Sequence, residues 1–316
     1  MICWKKKYNS LKYIREEGCM GEIKSKKRVY ITVSLIIFLL IVGGFYFYHS
    51  FSNQAFKPFN LKQSGSKQLN IKYGKSKNQA LDLYTPKLQN GKKMPVIIYV
   101  HGGGWSGGTK SNVDDKPAFF VNKGYVFVSV EHRFSPHVKY QQMAGDISTA
   151  VKWVYSHAAE YQIDSNRINL MGHSSGGHLI MLIATNPKYL ISVGLSPSSI
   201  SSVVSLEGPI NLTDFLQRLG TYKKVFGNNK KVWKEASPET YAENKNLPPM
   251  LLVTRGKSSI AAFMEKAKKA GNKVSYFECG SLSHSDVTNL LGSNKGSAEA
   301  KNMTMAIEKF LTKYNF

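Results

Sequence analysis

Cysteine is scarce in this 316-residue chain: Cys3, Cys19 and Cys279 are the whole complement. The number is odd and two of the three precede a long apolar segment, so no disulfide framework is implied. No cysteine–histidine spacing matches a zinc site. Acidic residues are also few, 20 against 43 basic ones, which leaves a net charge of +23. Arginine supplies only 6 of those 43 and lysine the other 37, a skew that fits the codon usage of an AT-rich genome. Neither a basic stripe nor a known module accompanies the charge, so nucleic acid is not an expected partner. A field of this sign favours anionic surfaces such as lipid headgroups or cell-wall polymers, within the reach that salt screening allows. Internal repeats are absent.

Hydrophobic content of 42% and charged content of 20% lie in the globular range. The length suits one large α/β domain with a sizeable core. Val29 to Tyr48 is a run of twenty residues without a charge, which as a helix spans about 30 Å, the thickness of a bilayer's hydrocarbon core. Lys24, Lys26, Lys27 and Arg28 precede it, and Tyr30, Phe45, Tyr46, Phe47 and Tyr48 flank it. Basic residues on the N-terminal side keep that end cytoplasmic, and interfacial aromatics mark the span's ends. A cleaved signal peptide competes with this reading, but its best site, Ser50-Phe51-Ser52, is crowded by aromatics. The expected organisation is a basic cytoplasmic segment over 1–28, a transmembrane signal anchor over 29–48, a linker over 49–67 and a catalytic-type domain over 68–316. The localisation that follows is a single-pass membrane protein whose domain lies outside the cytoplasm. Met20 is an alternative start, because the basic-then-apolar pattern is complete from there.

Strands and helices alternate beyond the linker. Leu69–Tyr73 and Leu81–Tyr84 predict a leading hairpin, and Val96–Val100 and Tyr125–Val130 predict strands buried on both faces. Helical spacing of Ile147, Ala150, Val151, Val154 and Tyr155 predicts a helix from Gln141 to about Tyr161. Further strands are expected at Ile168–Met171, Val203–Leu206, Met250–Thr254 and Val274–Phe277. A closing helix carries Met303, Ala306, Ile307, Phe310 and Leu311. Such alternation predicts a mostly parallel central sheet with helices on both faces.

Gly172-His173-Ser174-Ser175-Gly176-Gly177 follows a strand and opens a helix, the setting that a G-x-S-x-G nucleophile elbow requires. A glycine turn before a helix is the plain alternative. His101-Gly102-Gly103-Gly104-Trp105 follows another strand, and three consecutive glycines bare their N–H groups to a ligand. With the Ser175 amide they can form an oxyanion hole. A flexible loop or phosphate-binding turn would explain the glycines alone, but not both motifs in this order.

These two stretches, with Glu131-His132-Arg133-Phe134-Ser135-Pro136 and the pair Asp146 and Trp153, resemble HGGG-type carboxylesterases of the α/β-hydrolase superfamily. The feruloyl-esterase-like and kynurenine-formamidase-like branches are the most similar. The resemblance runs from about Leu69 to the C-terminus. It implies an α/β-hydrolase fold, cleavage of carboxylic esters or less often amides, a small-molecule ester substrate and no cofactor. It also implies that Gly103, Gly104 and Ser175 supply the oxyanion N–H groups.

This fold orders its triad serine, acid, histidine. Only His178 and His284 follow Ser174; His178 lies one turn into the elbow helix, which leaves His284 as the general base. The acid does not fit the family pattern. The loop Thr254-Arg255-Gly256-Lys257-Ser258-Ser259-Ile260, where family members carry an aspartate, has no carboxylate. Three explanations stand. Glu207, or else Asp214, replaces the acid from the end of the preceding strand. A Ser–His dyad operates, with Ser258, Ser259 or a backbone carbonyl orienting His284. Or the protein is a weak or retired enzyme that binds a ligand. Asp286 is too near His284 in sequence to orient its ring, Asp146 suits a structural pairing with Arg133, and His132 and His137 are expected to be structural or exposed. The stretch 207–249 can form a small cap over the site. A membrane-anchored esterase is therefore weighed against a non-catalytic binding protein on the same fold and against an amidase or formamidase.

Overall fold

The computed structural model describes residues 65–87 and 91–316. The expected membrane span at 29–48, the basic segment 1–28 and linker residues 49–64 lie outside the described residues. Among the described residues no helix is long and apolar enough to cross a membrane.

The chain enters the sheet at β1 (Gly65–Lys72), so three residues expected in the linker are strand instead. Gly65 and Ser66 pair with Pro86 and Thr85 of β2 (Ala80–Pro86), and the Ser66 and Thr85 hydroxyls bond at 2.6 Å. Then come β3 (Met94–Val100), α1 (Lys116–Asn122), β4 (Val126–Val130), α2 (Tyr140–Ser156), β5 (Ile163–His173), α3 (Ser175–Thr185), α4 (Lys188–Ile191) and β6 (Ile200–Leu206). The segment between β6 and β7 (Met250–Thr254) holds α5 (Leu212–Arg218), α6 (Lys223–Phe226) and α7 (Lys230–Ala236). α8 (Ala261–Lys269), β8 (Val274–Glu278), α9 (Asp286–Asn289) and α10 (Ala298–Asn315) complete the chain.

The eight strands lie in the order β1-β2-β4-β3-β5-β6-β7-β8. β1, β2 and β4 are joined antiparallel, and every pair from β4 through β3 to β8 is parallel. Every residue of β3, β4 and β7 is buried, because helices cover both faces of a parallel sheet and leave no strand face for water. Side chains alternate between faces along a strand. Ile98 accordingly packs in one cluster with Ile147 of α2 and Leu182 of α3, while Ile97 packs in another with Phe120 of α1 and Met303 and Ile307 of α10. The mostly parallel sheet with helices on both faces that the alternation predicts is present, in the α/β-hydrolase arrangement that the resemblance implies.

α2 stops at Ser156, five residues before the expected end. His157 stacks on Trp153 with ring centroids 4.1 Å apart and bonds the Trp153 carbonyl through Nδ1 at 2.8 Å. The chain then turns through Gln162 at φ +53 to start β5 at the buried Ile163.

Candidate active site

Parallel strands deliver their C-terminal ends to one edge of the sheet, and the three motif-bearing loops meet there. Ser174 is the one residue between β5 and α3, at φ 53 and ψ −120. A non-glycine residue in that region costs about 1–3 kcal/mol and persists only where its surroundings impose it. Here they do. The Ser174 N–H donates to the Leu206 carbonyl at 2.8 Å, and the Ser174 carbonyl accepts from the His178 N–H at 2.9 Å. A Cβ on Gly176 would lie 2.3 Å from the Val100 carbonyl oxygen, so β3 and the elbow approach through glycine alone. The first-turn N–H groups of α3, Ser175 among them, have no partner within the helix and face the elbow.

The loop after β3 brings Gly103 at φ +142 and Gly104 at φ +59. A Cβ on Gly103 would overlap the Gly107 carbonyl. A Cβ on Gly102 would lie 3.1 Å from the Ser174 Cβ and 2.8 Å from His173 Nδ1, so the glycine loop and the elbow touch. His101 anchors the loop: one ring nitrogen is 2.9 Å from Glu131 Oε1 and the other 2.7 Å from the Gly102 carbonyl oxygen. Burial alone would raise the Glu131 carboxyl; the hydrogen bond and charge of His101 hold it below the usual range instead.

His178 is structural. It is fully buried, its Nδ1 accepts from Trp105 Nε1 at 3.0 Å and its Nε2 donates to the Ala236 carbonyl at 2.8 Å. Burial pushes this imidazole down to about 4, so it stays neutral and ties the glycine loop, the elbow helix and α7 together.

His284 lies in the loop between β8 and α9 with its side chain 45% exposed. Its carbonyl accepts from His173 Nε2 at 2.9 Å, and the two rings sit 4.7 Å apart. Since His173 immediately precedes Ser174, the loop is held against the elbow. Burial drives His173 down to about 3, so it serves as a neutral donor. On its other side, His284 Nδ1 is 3.4 Å from Glu207 Oε2.

Glu207 directly follows β6 at φ +55, and its N–H donates to the Val253 carbonyl at 2.9 Å. Arg255 grips the carboxylate from the loop after β7, through its backbone N–H to Oε1 at 2.6 Å and through Nε to Oε2 at 2.7 Å. Burial on its own would raise the Glu207 carboxyl; hydrogen bonds from His284 and Arg255 outweigh it and hold the group at about 2. The loop without a carboxylate therefore contributes a cation that fixes a carboxylate from the neighbouring strand. A group whose folded pKa is depressed gives stability above its unfolded value that is lost as pH falls through the folded one. The Glu207 contribution is thus present above about 4.5 and lost toward 2. Arg255→Ala removes one of the two grips, so its acid unfolding, followed by far-UV circular dichroism, is expected to begin at higher pH than in the wild type. Identical acid transitions would exclude a structural part for the pair.

The other sequence candidates lie elsewhere. Asp214 is exposed on α5, where its N–H takes the Asn211 side-chain cap at 3.1 Å. Ser259 bonds within its own turn, to the Gly256 carbonyl at 2.8 Å, and no bond joins it or Ser258 to His284 among the described residues. Asp286 closes its own turn on the Ser283 N–H at 3.1 Å. Asp146 takes Arg133 at 2.6 and 2.8 Å and Gln79 at 2.8 Å. His132 is buried against His101, and His137 is exposed.

Three participants had not been singled out as site residues from sequence: His173, Arg255 and Lys116. The β6–β7 register, with Leu206 opposite Val253, is what sets Glu207 beside Arg255. Lys116 is fully buried, and its Nζ donates to the Thr288 carbonyl at 2.8 Å and to Asp114 Oδ2 at 3.3 Å. Tyr99 bonds the Thr288 hydroxyl at 2.9 Å, so both groups pin α9 just beyond His284. Lys116→Met would take the short charged donor from the buried Thr288 carbonyl and leave it only the Leu291 N–H at 3.4 Å, at about 1–3 kcal/mol. Thermal unfolding is expected to begin several degrees lower; an unchanged midpoint would show that water or another donor takes over.

The 207–249 segment covers the glycine loop. Trp105 packs edge-on to Phe215, Tyr222 and Phe226 at 5.9, 5.5 and 5.0 Å. Tyr222 lies so close that a Cβ on Gly104 would meet its Cε1 at 2.9 Å. A separate cavity of about 220 Å³, lined by Lys87, Lys92, Lys93 and Lys123 among others, opens at the start of β3, the far end of the strands from Ser174.

Residues 81–268 match the family model BD-FAE. The chain is 26% identical over 238 residues to Esterase LipC of Mycobacterium tuberculosis, covering 68% of this chain and 58% of that one. It is 31% identical over 202 residues to the Arabidopsis thaliana protein described as "Probable isoprenylcysteine alpha-carbonyl methylesterase ICMEL1", covering 58% and 42%. The chain thus spans about half the length of these curated relatives. The crystal structure of Esterase B from Lactobacillus rhamnosis superposes with a TM-score of 0.68 at 17% identity, over 87% of this chain and 95% of that one.

Proposed function

Because the chain belongs to the BD-FAE family of α/β-hydrolases, we propose that it is a membrane-anchored serine hydrolase of carboxylic esters. The contact between Glu207 and His284, 3.4 Å apart beside the elbow, carries this reading. With a carboxylate at the base, the motive for a non-catalytic binding protein is removed. In the proposed reaction Ser174 Oγ attacks the ester carbonyl while His284 takes its proton. The N–H groups of Gly103, Gly104 and Ser175 receive the negative charge that develops on the carbonyl oxygen. Glu207 keeps Nδ1 of His284 protonated and turned inward, and it stabilises the imidazolium. His284 then returns the proton to the leaving alcohol. A water attacks the acyl-enzyme by the same route and frees the acid.

The anchor rests on the charge-free run from Val29 to Tyr48 and the basic residues before it. By that rule the domain works outside the cytoplasm, against the membrane. Treating the full chain in detergent with a fluorophosphonate is expected to modify Ser174, identified by mass spectrometry of the peptide. A folded chain that takes up no label would overturn the reading.

A further inference from the structure

We propose that the ester cleaved at this site is carried on an anionic molecule, whose negative charges the lysines of the cap hold. The inference rests on the hydrolase reading and adds the class of substrate. Between Arg218 and Lys234 the cap carries Arg218, Lys223, Lys224, Lys230, Lys231 and Lys234 and not one carboxylate. Six basic residues in seventeen is about one in three, against 43 in 316, or about one in seven, for the whole chain. General lysine richness therefore does not account for the cluster.

Fold stability does not account for it either. None of the six makes an ion pair among the described residues, whereas Lys110, Lys123, Arg133, Arg167 and Lys266 each have a carboxylate partner. Lys223 and Lys224 open α6, and Lys230 and Lys231 open α7. α6 is a single turn, so Lys223 and Lys224 stand at both its ends, whereas Lys230 and Lys231 open the first turn of α7, where a carboxylate would be favoured. Lys223 has its Nζ 5.4 Å over the Trp233 ring, and none of the other five makes a cation–π contact among the described residues.

Position links the charge to the chemistry. Tyr222 packs against Gly104 of the proposed oxyanion loop and is joined directly to Lys223. Adjacent Cα atoms are 3.8 Å apart, so the basic stretch begins at the rim of the site. Lys224, Lys230, Lys231, Lys234 and Arg218 belong to the same cap segment and are exposed. Cations around a cleft raise the local concentration of an anionic substrate and its encounter rate by roughly 10- to 1,000-fold at low salt. The screening length is about 8 Å at physiological ionic strength, so the effect fades as salt is added. A membrane surface is the other anionic partner such a patch could meet, but contact with the reacting loop favours the substrate.

The test holds the acyl group constant and sets an anionic carrier against neutral ones, and the salt dependence and the cap variant isolate the part that charge plays. The full chain in detergent is given acetylated polygalacturonate, acetylated xylan and p-nitrophenyl acetate, at 20 mM and 500 mM NaCl. The expected kcat/KM ratio of the anionic to the neutral polymer is about 10 or more at low salt, falling toward 1 at high salt. The combined variant Lys223→Gln, Lys224→Gln, Lys230→Gln and Lys231→Gln is expected to bring the low-salt ratio near 1. Lys301→Gln with Lys309→Gln, exposed on α10, is expected to leave it unchanged. A ratio near 1 in the wild type, or one that the cap variant does not lower, overturns the proposal while p-nitrophenyl acetate turnover preserves the hydrolase reading. It is also overturned if the cap variant loses binding to phosphatidylglycerol vesicles with the ratio intact, which would make the patch a membrane contact. Absence of turnover on all three esters by the folded chain sinks the hydrolase reading itself, and this one with it.

Discussion

Replacing Ser174 by alanine is expected to lower kcat on a simple ester by about 10⁴- to 10⁶-fold and to abolish fluorophosphonate labelling. The size follows from what is removed. Without Oγ there is no acyl-enzyme, and only the oxyanion N–H groups and substrate positioning remain, worth roughly 10³–10⁴ over water in serine hydrolases. The fold should tolerate the change. Alanine keeps the Cβ, and the bonds that hold Ser174 at φ 53 run through its backbone to Leu206 and His178. An unchanged thermal midpoint with activity lost is therefore the expected pair of results. Activity within tenfold of wild type in a folded Ser174→Ala chain would mean that the elbow is not the nucleophile.

The second large effect is expected at Glu207. Glu207→Gln keeps the side chain's length and removes its charge, so the His284 imidazolium loses its counter-charge and Nδ1 its acceptor of fixed sign. A fall in kcat of about 10²- to 10⁴-fold is expected, the upper figure being typical for loss of a triad acid. The lower bound reflects the 3.4 Å separation from His284, longer than the 2.7 Å bond that the same oxygen makes to Arg255. KM should change less, since Glu207 stabilises charge that forms only during reaction. Measured at the wild-type optimum beside a circular dichroism spectrum, this variant separates a relocated acid from a Ser–His dyad. Full activity in Glu207→Gln would favour the dyad.

Arg255 explains how a carboxylate can work from β6. Glu207 adopts a left-handed backbone at φ +55, a conformation uncommon for a long side chain. Local sequence gives no reason for it. The reason is tertiary: the Val253 carbonyl takes the Glu207 N–H, and Arg255 takes both carboxylate oxygens.

Much of this protein was legible because it depends on neighbours along the chain. Buried parallel strands read as apolar runs, so β3, β4 and β7 stood out, and the helical stripe of α2 stood out by its spacing. The elbow was legible because a residue held between a strand and a helix requires small flanking residues, and Gly172 and Gly176 supply them. Chain order then singled out His284, as only two histidines follow Ser174. β1 was misjudged at its start, where Ser66 gains strand order only from Thr85 across the sheet.

The rest depended on residues far apart in sequence. Glu207 stands first among the candidates in the sequence, ahead of Asp214 and the serines of the β7 loop, but only parallel register, with Leu206 opposite Val253, puts Glu207 beside Arg255. Lys116 reads as one more surface lysine in a chain with 43 basic residues, yet packing of α1 against the sheet buries it on the Thr288 carbonyl. Trp105 reads as the end of a glycine motif, and the fold makes it the floor on which Phe215, Tyr222 and Phe226 rest. The sequence by itself determined the alternation of strands and helices, the strand–Gly-x-Ser-x-Gly–helix elbow, the glycine loop and the histidine proposed as base. These follow from local sterics, hydrophobic period and chain order. Only the tertiary structure decided which carboxylate meets that histidine, which cation holds it and which aromatic ring closes over the glycine loop, because those contacts are made across the sheet.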